Sequence, residues 1–339
     1  MMKAVYMIQK GDGDQAYEIR ETEIPKIGDG EVLIKVESFG LNFADVMARR
    51  GLYGDAPKMP CIMGYEVVGV VEKTDEKNQH LLGKRVVAFT RFGGYAEYVK
   101  TLSDAVAVID NMDAGKAAAL AVQYVTAYYM AVDSINLYAG DRVMIHAGAG
   151  GVGTALIQIC KMKGCEVFAN AGSEEKLEYM KQQGADHVIN YRTQDYEQEI
   201  NKMLKREKLQ ATFNPVSGST YKKDMRLIGA GGKVILFGGS ERSGKKWGML
   251  SSLNFVRKMG LVLPIGFVMT SKSVMGVNML RIADNRPNVL KRCLNNVAQL
   301  MKENKIDPQV GGRFSINELA EAHDLLEYRK STGKIIVSW

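Results

Sequence analysis

Between Glu31 and Thr101, apolar residues come in short bursts with a period near two. The runs EVLIKVESFG (Glu31 to Gly40), YEVVGVVEK (Tyr65 to Lys73), KRVVAF (Lys84 to Phe89) and GGYAEYVKT (Gly93 to Thr101) alternate or carry β-branched residues, with Gly and Asp between them. That period belongs to half-buried strands, so this part of the chain predicts a twisted barrel or sandwich. Near Met112 the texture changes. DAGKAAALAVQYVTAYYMAVDSI is Ala-rich, with apolar residues at helical spacing, and predicts one or two helices. Strand and helix patterns then alternate: RVMIHA with GGVGTALIQICKMKG, EVFANA with SEEKLEYMKQQG, HVINY with DYEQEINKMLKRE, then GGKVILFGG. Such alternation predicts βαβ units around a parallel sheet. After Leu263 the pattern is mixed, with a helix-like NVLKRCLNNVAQLMKEN and a closing strand, GKIIVSW.

The expected class is therefore α/β, in two domains. A doubly wound parallel sheet occupies 123–270, and a β-rich domain is assembled from 1–122 and 271–339. A length of 339 residues suits two cores.

Charge changes this picture little. The formal net charge is +7, but Lys245-Lys246 and Lys202 to Lys208 are short or mixed with acids, so no nucleic-acid surface is predicted. Cys61, Cys160, Cys165 and Cys293 are scattered and read as no disulfide framework, which favours a reducing compartment. Cys160 and Cys165 are expected as core and surface positions on or beside one helix. The start, MMKAVYMIQKGDG, lacks a secretory pattern. The apolar run MGLVLPIGFVM from Met259 is too short to span a bilayer and contains a proline. These features predict a soluble, cytoplasmic protein with no transmembrane segment.

Chemistry enters at RVMIHAGAGGVGTALIQIC. Gly148, Gly150 and Gly153 have G-x-G-x-x-G spacing between a predicted strand and a predicted helix, with the next strand at the expected distance. Gly148 and Gly150 allow a tight turn and close approach of a pyrophosphate, and Gly153 lets helix and strand pack. The N–H groups of Gly151, Val152 and Gly153 start the helix and can face the phosphates. The expectation is a Rossmann dinucleotide site.

An NAD site usually places Asp or Glu about 20 residues beyond the glycines. Here that place falls on uncharged Asn170 and Ala171. Ser173 and Lys176 follow, with Tyr191 and Arg192 at the end of the next strand. A cation in the first turn of a helix opposes the dipole unless an anion lies nearby. NADPH is the expected cofactor; the alternative is that Glu174 and Glu175 neutralise Lys176 and Ser173 only caps a helix.

From GEVLIKVESFGLNFADVMARRGLY through GYEVVGVV, GDRVMIHAGAGGVGTALIQICK, SEEKLEYMKQQGADHVINY and GGKVILFGG to STGKIIV, the chain resembles the zinc-free quinone oxidoreductase branch of the medium-chain dehydrogenase/reductase superfamily. Within it, SKSVMGVNMLRIADNRPNVL is similar to the vesicle amine transport family. The resemblance implies a GroES-like catalytic domain beside the Rossmann domain. Asn42 stands where zinc-dependent relatives carry a Cys ligand, and Tyr65 replaces the His of their G-H-E. A neutral amide and a phenol are poor substitutes for thiolate and imidazole, so no metal is expected.

The same resemblance implies reduction of a quinone or an α,β-unsaturated carbonyl by hydride transfer. Asn42 and Tyr53 are the expected catalytic residues, Tyr53 as a phenolic donor near its usual pKa of about 10. Tyr53 can equally be a lid over the cofactor, and Asp45 is expected to cap or pair structurally. Thr126 matches the position beside the nicotinamide carboxamide or is a helix-interior Thr. Phe237 and Gly238 end a strand where ligands collect. Lys334 matches a lysine close to the cofactor or is a solvated strand-end residue. His146 is expected at the strand end without a catalytic role. The resemblance also implies a homodimer, joined through an apolar edge strand at GLVLPIGFV. Two other functions stay open: an NADPH-binding protein without catalysis, associated with vesicles or partners, and a 2-enoyl thioester reductase.

Overall fold

A computed structural model of the chain describes residues 1–242, 248–261 and 263–339, with the backbone alone for 248–252. Lys245, Lys246 and Val262, which entered the charge and hydropathy readings, lie outside the described residues. The chain divides into two compact units, Met1–Thr126 with Met279–Trp339, and Ala127–Asn278.

The first unit is built on a seven-stranded sheet. Its path runs Val310–Ser315, Lys334–Ser338, Glu31–Leu41, Glu66–Thr74, Arg85–Phe89 and Val106–Val108, and Tyr98–Leu102 also pairs with Glu31–Leu41. The β-branched residues of the period-two runs supply its core: Val32, Ile34, Val67, Val68, Val86 and Val87 are almost entirely buried. The closing strand lies here, antiparallel to Glu31–Leu41, with Leu41 opposite Ile335 and Gly40 opposite Ile336. A smaller sheet orders Tyr17–Thr22, Met2–Met7 and Cys61–Ile62.

The second unit is a six-stranded, all-parallel sheet. Its order is His187–Asn190, Glu166–Ala171, Arg142–Ile145, Leu209–Asn214, Ile228–Leu236, Ser273–Gly276. Numbered along the chain this is 3-2-1-4-5-6, the doubly wound Rossmann order, whose switch point lies beside Arg142–Ile145. The inner strands read as near-continuous buried runs, as strands do when both faces are covered. Ser273–Gly276 pairs with Ile228–Leu236, so the chain returns to the first unit later than residue 271. The central strand Leu209–Asn214 is not among the strands that the alternation along the chain predicts.

Two expectations are corrected. The second half of GLVLPIGFV is no edge strand: Pro264–Thr270 is helical, with Pro264 in its first turn, where the missing N–H costs nothing. Cys165 is no surface position; it is buried like Cys160, at 1% and 0% exposure. The 18-residue window Leu253–Thr270 has a mean hydropathy of 1.3 and passes a length-and-composition test for crossing a membrane. It is shared between a 12-residue helix, Gly248–Met259, and the 7-residue helix Pro264–Thr270. Each is shorter than the about 20 residues that a spanning helix needs.

Candidate functional site

In the second unit, the strand Arg142–Ile145 runs into the glycine turn and then the helix Gly151–Met162. The left-handed residue of the turn is Ala147, at φ 52°, rather than a glycine. Gly153 is required by packing, because a Cβ there would lie 2.3 Å from the Ala147 carbonyl oxygen. Gly148 is similarly closed in: its Cβ would lie 2.5 Å from the Met180 sulfur. Gly150 is the open one, with only the Ala147 oxygen at 3.3 Å. It is the N-cap of the helix and makes no side-chain cap, so the N–H groups of Gly151, Val152 and Gly153 start the helix without a side-chain acceptor. A dinucleotide pyrophosphate fits such a helix start.

The turn is held from behind by a buried network. Asn170 accepts the Ala147 N–H through Oδ1 at 3.1 Å, and its own carbonyl accepts the Gly148 N–H at 3.0 Å. A backbone N–H can only donate, which fixes the Asn170 amide. Its Nδ2 then faces His146 Nδ1 at 3.1 Å, so that ring nitrogen accepts. Nε2 of His146 is left to donate to Asp224, at 2.9 Å. Asp224 also accepts from Tyr196 Oη at 2.9 Å and Asn214 Nδ2 at 2.6 Å. Asn170, at the place of an NAD-type acid, is spent on this network and is 3% exposed.

Beyond it, Ser173 is the N-cap of the helix Glu174–Gln182 and makes no side-chain cap. Glu174 accepts from Asn190 Nδ2 at 2.8 Å, and Lys176 is partly exposed in the first turn. Tyr191 and Arg192 close on Gly172: a Cβ there would lie 2.7 Å from Tyr191 Oη and 3.1 Å from Arg192 Nε. Gly172, Ser173, Tyr191 and Arg192 thus gather at the carboxyl ends of two neighbouring strands. Phe237 and Gly238 follow Ile228–Leu236. Phe237 N–H bonds to the Asn214 carbonyl at 3.2 Å, and the Gly238 carbonyl accepts from Ser217 Oγ at 2.7 Å.

In the first unit, Asn42 caps the helix Phe43–Arg49 in a capping box with Asp45; its N–H donates to Asp45 Oδ2 at 2.8 Å. Asp45 thus does cap. Burial pushes its carboxyl up to about 7, with the Asn42 N–H opposing. The Asn42 side chain, 8% exposed, donates through Nδ2 to Glu66 Oε1 at 2.8 Å. Lys334 is not solvated: it is fully buried. Its ammonium donates to Glu66, to the Leu41 carbonyl at 3.1 Å and to Asn42 Oδ1 at 3.3 Å. Three N–H groups meet three acceptors, so none is left to reach a phosphate.

Tyr53 lies in the loop after this helix, half-buried, with its ring edge-on to Tyr65, centroids 6.2 Å apart. Its pKa is not the ordinary one. Burial first, then the charges of Asp55 and Asp45, push it up to about 12. A neutral phenol can donate a hydrogen bond through its hydroxyl. Thr126 is 8% exposed, just after a widened helical turn, Leu120–Tyr124, in which the Val125 N–H reaches back to the Leu120 carbonyl. Turns of this kind occur often at functional sites. Among the described residues, no three His, Cys, Asp or Glu side chains converge to hold a metal, and Asn42 and Tyr65 do not suit zinc.

The comparisons with known proteins agree with this architecture. Residues 28–184 match the alcohol dehydrogenase GroES-like domain and 151–304 the family described as zinc-binding dehydrogenase. The synaptic vesicle membrane protein VAT-1 homolog is 31% identical over 317 residues in Danio rerio, covering 93% of this chain and 65% of the relative. The chain therefore spans just under two thirds of the Danio rerio protein. The Rattus norvegicus homolog is also 31% identical over 317 residues, covering 92% of this chain and 78% of the relative. Quinone oxidoreductase of Homo sapiens is 28% identical over 342 residues, with 99% and 98% covered. Among solved structures, the human VAT-1 homolog-like protein superposes with a TM-score of 0.85 at 28% identity, covering 100% of this chain and 98% of its own. A mycobacterial protein complexed with NADPH gives 0.85 at 25% identity over the whole of both chains. Fold and family matches thus define the Rossmann and GroES-like plan of the dehydrogenases. The chain belongs to the medium-chain dehydrogenase/reductase superfamily, with the VAT-1 homologues and quinone oxidoreductases.

Proposed function

We propose that this chain is an NADPH-dependent reductase of quinones or α,β-unsaturated carbonyls, acting by hydride transfer without zinc. The observation that carries the reading is the Asn42 amide of the first unit, held by Glu66 and Lys334, with Tyr53, a half-buried phenol in the loop after the same helix, as the second donor. NADPH, when bound, supplies the hydride. Hydride arriving at an electron-poor carbon leaves negative charge on the conjugated oxygen. Fixed N–H and O–H donors stabilise that charge without reorganising. A proton, taken up from Tyr53 or solvent, completes the reduction.

The Gly151, Val152 and Gly153 N–H groups would hold the pyrophosphate, with Gly150 leaving room. Ser173, Lys176 and Tyr191, with Arg192, would meet the 2′-phosphate. Phe237 and Gly238 would line the site at their strand end, and Thr126 would meet the nicotinamide carboxamide. The similarity to a mycobacterial protein complexed with NADPH supports this choice of cofactor. The free state of Cys61, Cys160, Cys165 and Cys293 supports a reducing compartment, and we place the protein in the cytoplasm. The exposed apolar side chains of Leu261, Leu263, Ile265 and Val268 support a homodimer.

A second reading is favoured by the VAT-1 relatives, whose name specifies no reaction: the chain binds NADPH and does not turn over. NADPH oxidation measured with quinones, 2-enones and 2-enoyl thioesters decides. Turnover on a quinone or enone is the expected result. Preference for the thioester would make it a 2-enoyl thioester reductase, and tight NADPH binding without turnover on any of them would leave the second reading.

A further inference from the structure

The Asn42 amide sits between two opposite charges that see no solvent. Glu66 and Lys334 are both 0% exposed. The strand register puts them there: with Phe39 opposite Val67 and Leu41 opposite Ile335, Glu66 falls across from Gly40 and Lys334 across from Asn42. Side chains two apart share a face, so all four positions face the same way. Gly40 makes the room. A Cβ at that position would lie 2.1 Å from Glu66 Oε1 and 2.4 Å from Lys334 Cε.

A buried ion pair is a poor source of net stability, because desolvation offsets most of the attraction. Orientation is what this one delivers. The ammonium can only donate and the carboxylate can only accept. Asn42 Oδ1 must therefore face Lys334, at 3.3 Å, and Nδ2 must face Glu66, at 2.8 Å. Turning the amide over would set its NH₂ against the ammonium and its oxygen against the carboxylate. One N–H of Nδ2 stays uncommitted to this pair.

We propose that Glu66 and Lys334 are positioning residues that lock the Asn42 amide so that it presents an N–H, and never its oxygen, to the oxygen of the reacting acceptor. The proposal rests on the reading of Asn42 as a catalytic donor. It gives Lys334 a place in the chemistry that a lysine on the cofactor would not have.

The test pairs a spectroscopic readout with kinetics. In protein labelled with ¹⁵N at asparagine, and with Asn42→Asp used for assignment, the Asn42 amide should show protected, shifted proton resonances. In the double variant E66Q/K334M, which removes both charges at similar volume, they should move to free-amide positions and exchange quickly. Unchanged resonances would overturn the lock, whatever the activity. On an enone, E66Q/K334M should lower kcat about tenfold or more with KM for NADPH nearly unchanged, and should cost nothing further in an Asn42→Ala background. Equal losses in both backgrounds would mean that the pair serves structure alone. If the double variant does not fold, Glu66→Asp keeps both charges and draws the carboxylate back by one methylene. It should show the same change at the amide, and no change there would overturn the proposal. Should the parent protein reduce neither quinone nor enone, the functional reading fails while the resonances still decide the lock.

Discussion

Asn170 turns its side chain back onto Ala147, accepting that residue's N–H at 3.1 Å. The position that could have gripped a ribose hydroxyl is thereby occupied with holding the turn, and on the proposed reading cofactor choice would pass to Ser173, Lys176, Tyr191 and Arg192. NADPH should bind more tightly than NADH. A charged hydrogen bond contributes about 1.5–3 kcal/mol, so Lys176→Ala should cut the preference at least about tenfold. Titration of both cofactors measures it; equal affinities in the parent protein would sink the idea.

Tyr53→Phe should lower turnover on an enone about a hundredfold, the cost of losing one oxyanion donor, with NADPH affinity unchanged. A quinone should suffer less, because its reduced form is less basic. If Tyr53 only covers the cofactor, KM changes and kcat does not. Steady-state kinetics on one substrate of each kind separates the two.

The strand, glycine turn and helix from Arg142 to Met162 were legible because the apolar period changes abruptly at Gly148, a local signal. The lock at Asn42 was not. Lys334 lies 292 residues from it and Glu66 24, and register between distant strands leaves no mark in local periodicity. Lys334 therefore read as a solvated lysine or a cofactor ligand. GLVLPIGFV is ambiguous for a different reason. An apolar run with no period fits a strand or a helix, and the mark that decides is Pro264, which suits a helix start. Leu209–Asn214 escaped because Gln210 and Thr212 interrupt the apolar run of a fully inner strand.

Asp45 gives the protein a pH signature. Its carboxyl is buried and its pKa is raised to about 7, against about 3.9 in an unfolded chain. The folded state therefore holds the proton more tightly. This contribution is present in full below about pH 4 and is lost as pH rises through 7. His323 pulls the other way: burial lowers its pKa to about 3, so its contribution is lost as pH falls below about 6.5. Asp45→Asn isolates the first effect. The stability of the variant relative to the parent should improve between pH 4 and 7, with an upper bound of ~1.4 kcal/mol per pH unit set by one proton. Denaturant unfolding at several pH values checks it, and a flat difference would refute the raised pKa.

Metal analysis after dialysis should find no stoichiometric zinc, and a chelator should leave turnover intact. Zinc retained at one equivalent per chain would require ligands other than Asn42 and Tyr65.

Leu253, Val256, Leu261, Leu263, Ile265, Val268 and Met269 are 62, 63, 91, 63, 62, 73 and 80% exposed, more apolar surface than a monomer usually leaves open. Light scattering should give about twice the 37.4 kDa chain mass, and Leu261→Asp should shift the protein toward monomer. A monomeric parent at micromolar concentration would count against the dimer.

Ser38 to Leu41 pair with Ile335 to Ser338, and this sets a timetable for synthesis. Translation adds about 5–20 residues per second, so Asn42 waits some 15 to 60 s for the lysine 292 positions on. Throughout that interval the half-strand presents an open edge, and Glu66 has no ammonium beside it. The whole of Ala127–Asn278 is made meanwhile. The second unit can thus mature on the ribosome while the first is still incomplete. A nascent chain stalled before residue 334 should be competent to bind a nucleotide and incompetent to reduce anything.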